Sequence, residues 1–323
     1  MTAIHGSHGQ LMLTSTPNLA FTNQALTDFG DHQNFNCSAI PTKRYWDRTS
    51  AFVIQAECNE VQTITITGGP TGGTYTLTFG AQTTAAINWN DPASTVQTRL
   101  QALSSIGAGN VLVTGGPGPG TPYTVEFTGT LGFASQANIT RTTNSLTGGA
   151  SPDAIITNPQ DGFTWTTRAS TTYTIQYVGG KIAFNSAFLG TSVGCRVASG
   201  AYLLATAIGD ILEWAPDLSR DTSETTCMTT TSTPTRWKTY KGGLIGGKIK
   251  INKFLVDNTY VNLVTITTDD TLIASLVVDA TTGLPRLECY CKLSKDSMKV
   301  PLKDIEMEDL DFMIDGPLYL AAS

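Results

Sequence analysis

Few residues in this chain are of types that do chemistry, and their spacing scatters them. Of three histidines, His5 and His8 sit in His5-Gly6-Ser7-His8-Gly9, where no Cys or carboxylate stands at metal-ligand spacing, and His32 follows Gly30-Asp31 in an expected surface turn. The glycine run Gly242-Gly243-Leu244-Ile245-Gly246-Gly247-Lys248 lacks the Gly-Lys-Ser/Thr ending and the strand-to-helix setting of a phosphate-binding loop, so it reads as a flexible interaction loop. Acids crowd Asp304 to Asp311, yet alternation along a strand spreads carboxylates instead of wrapping them around a calcium ion. No Ser-His-Asp, Cys-His or paired-carboxylate set can be assembled. The sequence therefore predicts no enzyme, no cofactor and no metal.

The six cysteines are too few for a disulfide scaffold in 323 residues. Cys37, Cys58, Cys195 and Cys227 are scattered singly, while Cys289 and Cys291 fall two apart in a strand-like run and share one face. Neighbours on one face rarely bridge without strain, so reduced, buried thiols are expected.

Only 14% of residues are charged, against roughly a quarter in a typical soluble protein. Thr, Ser, Asn and Gly must then cover the surface, which argues for strands. With 26 acidic and 20 basic residues the net charge is −6, which opposes a sequence-independent grip on nucleic acid. Met1 to Asn18 shows neither a secretory nor a transit pattern, and no run approaches the about 18 apolar residues of a membrane span, so neither export by these routes nor membrane insertion is expected.

Composition divides the chain into three. Residues 59–150 contain no Lys, and their strands alternate in period two: Ile64 and Ile66; Tyr75, Leu77 and Phe79; Ile87 and Trp89; Tyr123, Val125 and Phe127. One helix is expected among them, with Asp91 as N-cap, Pro92 at the first helical position, Val96, Leu100, Leu103 and Ile106 on one face, and Gly107 as the stop. Residues 1–58 and 151–204 read as one split β domain around this insert, through Ala51-Phe52-Val53-Ile54-Gln55, Thr172 to Tyr177, Gly180 to Phe184 and Cys195 to Leu203. Residues 205–323 carry most of the Lys and acids, in the alternating runs Lys248 to Lys253 and Asp304 to Asp311, with a short helix expected over Asp257 to Thr268 and a strand over Leu272 to Val278. The fold class is mainly β: a barrel or sandwich with one flanking helix, a split N-terminal β domain and an inserted β-rich domain with one helix.

From Ile211-Leu212-Glu213-Trp214, through Arg236-Trp237-Lys238-Thr239-Tyr240-Lys241-Gly242-Gly243-Leu244, to Asp311-Phe312-Met313-Ile314-Asp315-Gly316-Pro317-Leu318, the chain resembles the major tail tube proteins of long-tailed bacteriophages. Gly180 to Phe184 and Gly200 to Leu203 are similar to strands of the N-terminal β domain that some of them carry. Val61 to Ile66, Gly73 to Phe79 and Gly107 to Gly115 resemble an Ig-like accessory repeat of phage structural and bacterial surface proteins. The resemblance implies a virion protein assembled in the bacterial host cytoplasm, in hexameric rings stacked into a hollow tail tube for DNA ejection. Implied partners are copies of itself, the tape measure, terminator and baseplate proteins, and DNA that passes without sequence-specific binding; host glycans are a candidate for residues 59–150. A basic stretch at Arg236 to Lys253 and the chain's length depart from that pattern and leave a tail terminator, a baseplate ring, a capsid decoration protein or an adhesin-like module as alternatives.

Two groups of site residues follow. Trp237, Tyr240, Lys241, Gly243 and Leu244 set aromatic anchors among glycines and cations, as an inter-subunit contact does. Glu306, Glu308, Asp309 and Asp311 are expected to line an acidic lumen, since a positive wall would bind DNA phosphates and hold it. The run Lys248 to Lys253 is expected to offer an open strand edge for pairing with a neighbouring copy.

Overall fold

Period-two alternation of β-branched and aromatic residues becomes strand almost throughout, and a computed structural model shows the fold to be mainly β. The structure describes residues 10–207, 211–224, 240–254, 272–277, 286–299 and 307–321.

Among the described residues an antiparallel sheet of eleven strands organises the molecule. From edge to edge it runs Phe163–Thr167, Val53–Cys58, Val193–Ala207, Gln10–Ala25, Ile273–Val277, Arg286–Lys299, Met307–Ile314, Tyr240–Phe254 and Ile211–Glu224. Tyr45–Trp46 and Tyr319–Ala321 join it off this path, on Val193–Ala207 and Arg286–Lys299. Segments on both sides of residue 205 thus contribute to one hydrogen-bonded sheet, and Gln10–Ala25 is the strand that joins them. It pairs with Val193–Ala207 along one edge and, through Gln10 to Leu13, with Ala274 to Val277 along the other. Its register against Val193–Ala207 shifts between Ser15 and Leu19, around Pro17, because proline has no N–H to give to the ladder.

Aromatic packing fixes the start of this sheet. Trp46 is fully buried, stacks on Phe52 at 5.2 Å between centroids, meets Phe21 edge-on at 5.6 Å, and donates its indole N–H to the Lys43 carbonyl at 2.9 Å. Gly180 is required here: at φ +59° its Cβ would lie 2.7 Å from the Trp46 indole nitrogen. A second four-stranded sheet, Tyr173–Gln176, Lys181–Phe184, Asn34–Asn36 and Thr27–Asp28, closes over this core through Phe35, Ile182 and Phe184.

A buried ion pair ties residues 44 and 45 to the far side of the sheet. Glu288 accepts from the Arg44 guanidinium at 2.7 Å and from the Tyr45 hydroxyl at 2.7 Å, and Arg48 pairs with Asp315 at 2.5 Å. Around them Tyr45, Val178, Leu203, Ile273 and Tyr290 form one apolar cluster.

Residues 61–160 build a separate sandwich. One sheet orders Val111–Gly115, Tyr123–Phe127, Val61–Thr67 and Asp153–Gln160; the other is Thr140–Thr147, Gly72–Phe79 and Gln82–Thr83, with Ile87–Asn88 also on Gly72–Phe79. Ile64, Tyr75, Leu77, Ile87, Tyr123 and Phe127 are fully buried between them with Val96 and Leu100 of the helix Ala93–Gln101. Each Leu or Phe buried in this way contributes about 1.5–3 kcal/mol. The sandwich extends past the compositional limit at residue 150, since Asp153 and Ala154 pair with Thr67 and Ile66, and Ala154 and Ile156 pack on the core. The Thr-, Asn- and Gln-rich sequence has no compositional break there to mark the strand.

The helix starts one residue later than expected. Pro92, with φ −66° and ψ 157°, occupies the N-cap, while the Asp91 carboxylate turns back to accept from the Asn88 amide at 2.8 Å and the Asn88 side chain at 3.1 Å. Leu103 and Ile106 are buried in turns beyond its end, closed by the Gly107 N–H on the Leu103 carbonyl at 2.8 Å. The helix expected over Asp257 to Thr268 lies outside the described residues.

Candidate assembly surface

Four strands, Ile211–Glu224, Tyr240–Phe254, Met307–Ile314 and Arg286–Lys299, form the C-terminal end of the large sheet. Alternation gives them two unlike faces. Ile249, Ile251, Leu310, Phe312, Cys291 and Leu293 make the inner one. On the outer face the register lines up three rows: Ala215, Lys250, Asp311 and Lys295, in which charges alternate; Asp217, Lys248, Met313 and Lys292, with one opposed pair; and Glu213, Asn252, Asp309 and Ser297, whose only charges are acids. Directly opposed pairs of unlike charge stabilise a sheet by about 0.2–1 kcal/mol each. The Asn252 side-chain amide donates to Asp309 at 2.5 Å, and both line, with Glu213, Lys250, Lys295 and Asp311 among others, a shallow depression of about 390 Å³.

The same alternation places two charges inward. Lys253 and Glu308 are direct cross-strand partners on the apolar face, 4% and 0% exposed, and their Nζ–Oε2 distance is 3.0 Å. Burial raises the pKa of Glu308 and Lys253 pulls it down; the nearby Asp296 carboxyl pushes it up again, and the result is raised.

The four acids expected on one wall are therefore not brought together. Glu306 lies outside the described residues, Glu308 points to the core, and only Asp309 and Asp311 share the outer face, where lysines stand between the acid-bearing strands. Residues 308 and 309 of one strand cannot face the same way.

The expected contact residues also change setting. Trp237 lies outside the described residues. Tyr240, Lys241, Gly243 and Leu244 belong to the strand Tyr240–Phe254, whose ladder to Ile211–Glu224 pairs Tyr240 with Glu224, Lys241 with Ser223 and Gly242 with Thr222. Gly243 and Leu244 stand opposite the single residue Asp221, as a β-bulge. The glycine run is thus strand, not loop: Gly247 lets two strands approach so closely that a Cβ would sit 2.8 Å from the Asp217 carbonyl oxygen.

Nor is Lys248 to Lys253 an edge, for it is paired on both sides, with Met307–Ile314 and Ile211–Glu224. The sheet's terminal strand is Ile211–Glu224, whose ladder among the described residues is with Tyr240–Phe254 alone. It is 14 residues long, carries Leu218 at 48% exposure, and holds Pro216, which an edge tolerates.

His5, His8 and Cys227 lie outside the described residues. His32 is half-buried instead of exposed in its turn, its Nδ1 at 2.5 Å from the Asp28 carboxylate. Cys37, Cys58, Cys195, Cys289 and Cys291 are free and buried, and burial pushes the Cys195 and Cys289 thiols up to about 12. Among the described residues no three His, Cys, Asp or Glu side chains converge as metal ligands, and no helix is long and apolar enough to cross a membrane.

Sequence reasoning missed a polar knot at the root of the 61–160 sandwich. Asn59, Glu60, Gln62 and Glu126 are all buried there, and both carboxylates have neutral partners. The only trace in the sequence is that Glu60 and Glu126 are two of the few charges in a Lys-free stretch.

No protein-family model matches the chain. It is 36% identical over 101 residues, 31% of its length, to the tail sheath protein of Mycobacterium phage Bxz1, of which it spans 16%. Solved structures similar in part are the virion of a native gene transfer agent particle (TM-score 0.30, 12% identity, 36% of this chain and 89% of that one) and the tail of the empty particle, computed with C6 symmetry (0.31, 11%, 37% and 87%). A Mycobacterium phage Patience structure has a TM-score of 0.26 at 16% identity, covering 56% of this chain and 63% of that one.

Proposed function

We propose that the chain is a structural subunit of a phage tail, the tail tube protein that its sequence resembles, and that it works by assembly instead of catalysis. The observation that carries this reading is the long strand Ile211–Glu224, terminal in the sheet among the described residues, beside a face of laddered charges. A strand edge of this length is a template for pairing with a second copy, and repeated pairing around a closed symmetry gives a ring. The stretch of similarity to a tail sheath protein supports a place in a virion tail.

In this reading hexameric rings stack into a tube, and terminator, baseplate and tape measure proteins are further partners. The outer face bearing Asp309 and Asp311 lines the channel, where lysines matched across the sheet by acids leave DNA phosphates little net positive charge to bind. Tyr240, Lys241, Gly243 and Leu244 then sit next to the pairing edge, and Trp237 completes that contact. The body comprises residues 1–59 and 162–323, and residues 60–161 form a module projecting from the outside of the tube, open to solvent or host glycans. Negative-stain electron microscopy of the concentrated protein tests this. Hollow tubes with a ring repeat support it, and a protein that stays monomeric at every concentration overturns it.

A further inference from the structure

The module is joined to the body by two adjacent strands, Val53–Cys58 leading in and Phe163–Thr167 leading out, with Cys58 opposite Phe163 in the ladder. Two neighbouring strand ends alone leave a hinge about the line through them. A further contact that reaches into the module restricts this freedom, and the structure has one in the loop around Gly190, which leads into Val193, the partner of Cys58 on the side opposite Phe163.

Glu126, from the module's strand Tyr123–Phe127, reaches this loop. Its Oε1 accepts from the Thr191 amide at 2.8 Å, the Thr191 hydroxyl at 3.1 Å and the Asn59 side-chain amide at 2.8 Å. Gln160 grips the preceding residue in the manner of a strand: its Oε1 accepts from the Leu189 amide at 2.7 Å and its Nε2 donates to the Leu189 carbonyl at 3.0 Å. The same Nε2 donates to the Asn59 carbonyl at 2.8 Å. Gly190, at φ +86°, lies so close that a Cβ would stand 2.8 Å from the Glu126 carboxylate. Glu126 and Asn59 are buried, so the Glu126 bonds are shielded from competing water, and hydrogen bonds to a carboxylate are among the stronger kind; the two bonds between Gln160 and Leu189 are exposed.

We propose that residues 189–191 are a brace that locks the module in one orientation on the body, with Glu126 and Gln160 as its positioning residues. Each copy then presents the module at the same angle. The brace lies within a single chain, so the proposal stands or falls apart from the tail-tube reading.

Pulsed dipolar EPR measures the pose directly. Spin labels go on Ser38→Cys in the body and Ser145→Cys in the module, both exposed sites, in full-length Cys227→Ser protein whose described native thiols are buried. A single narrow distance distribution is expected. In Glu126→Ala/Gln160→Ala its width should at least double, whereas Glu126→Gln, which keeps an acceptor oxygen for Asn59 and Thr191, should stay narrow. Gly190→Val tests the same joint from the body side, leaving the module's sequence untouched, and should also broaden the distribution. A broad distribution in the parent protein, or a narrow one in both the double variant and Gly190→Val, overturns the proposal.

Discussion

Removing the Glu288 carboxylate should loosen the attachment of residues 44–48 to the large sheet. Glu288 is buried, and besides Arg44 and Tyr45 it has the Ser275 hydroxyl at 3.4 Å and the Arg286 guanidinium at 3.8 Å. In Glu288→Ala the buried Tyr45 hydroxyl loses its acceptor, which costs about 1–3 kcal/mol. Breaking a buried ion pair from one side costs about 3–5 kcal/mol, and the low end applies because the Arg44 side chain is 21% exposed and regains water. These terms overlap, so the net loss expected is about 4 kcal/mol. Glu288→Gln keeps an acceptor for Tyr45 and should lose about 2 kcal/mol. Guanidinium denaturation followed by tryptophan fluorescence is suited to this, because Trp46 is buried next to the pair. Arg44→Met/Glu288→Leu should lose less than the sum of its single variants, since removing both charges leaves neither unpaired. A loss below about 1 kcal/mol for Glu288→Ala, or strict additivity in the double variant, would mean that the Glu288 contacts do not hold residues 44–48 to the sheet.

Because the Glu308 pKa is raised from the ordinary 4.5, its folded form binds the proton more tightly. The group's contribution to stability is then full below pH 4.5 and is lost as pH rises through the raised value; Glu308→Gln should flatten that part of a melting-temperature profile, and an unchanged slope would count against it. Thiol labelling at pH 8 followed by peptide mass spectrometry should leave Cys37, Cys58, Cys195, Cys289 and Cys291 unmodified until denaturant is added, given thiols that burial raises to about 11 for Cys37 and Cys58 and higher for the rest. Deleting residues 60–161 joins Asn59 directly to Gly162 between the paired residues Cys58 and Phe163, which creates a two-residue Asn-Gly hairpin turn. The shortened chain should fold, with the large sheet's strand content intact by circular dichroism; an insoluble or unfolded product would mean that the body needs the module.

Side-chain period was the most legible feature of the sequence. It located Gly72–Phe79, Tyr123–Phe127 and Lys181–Phe184 within a residue or two, because alternation of buried and exposed positions is a local property. Pairing is not local. That Gln10–Ala25 joins strands near residues 200 and 275 depends on which backbone finds which, and Gly242 to Lys248 becomes strand only because Thr222 to Asp217 lies alongside. Inward charges were likewise hidden. Lys253 and Glu308 look like surface residues until cross-strand register makes them partners, and Glu126 becomes a brace through Thr191, 65 positions away in the chain.

Hydrogen–deuterium exchange of the free and the assembled protein, read over Ile211–Glu224, shows whether subunits join by pairing along this strand. In the free chain the outward amides of this terminal strand should exchange rapidly. In assembled protein they should become protected to the level of the internal strand Tyr240–Phe254. Assemblies in which Ile211–Glu224 exchanges as fast as in the free chain would contradict edge pairing as the means by which the subunits join.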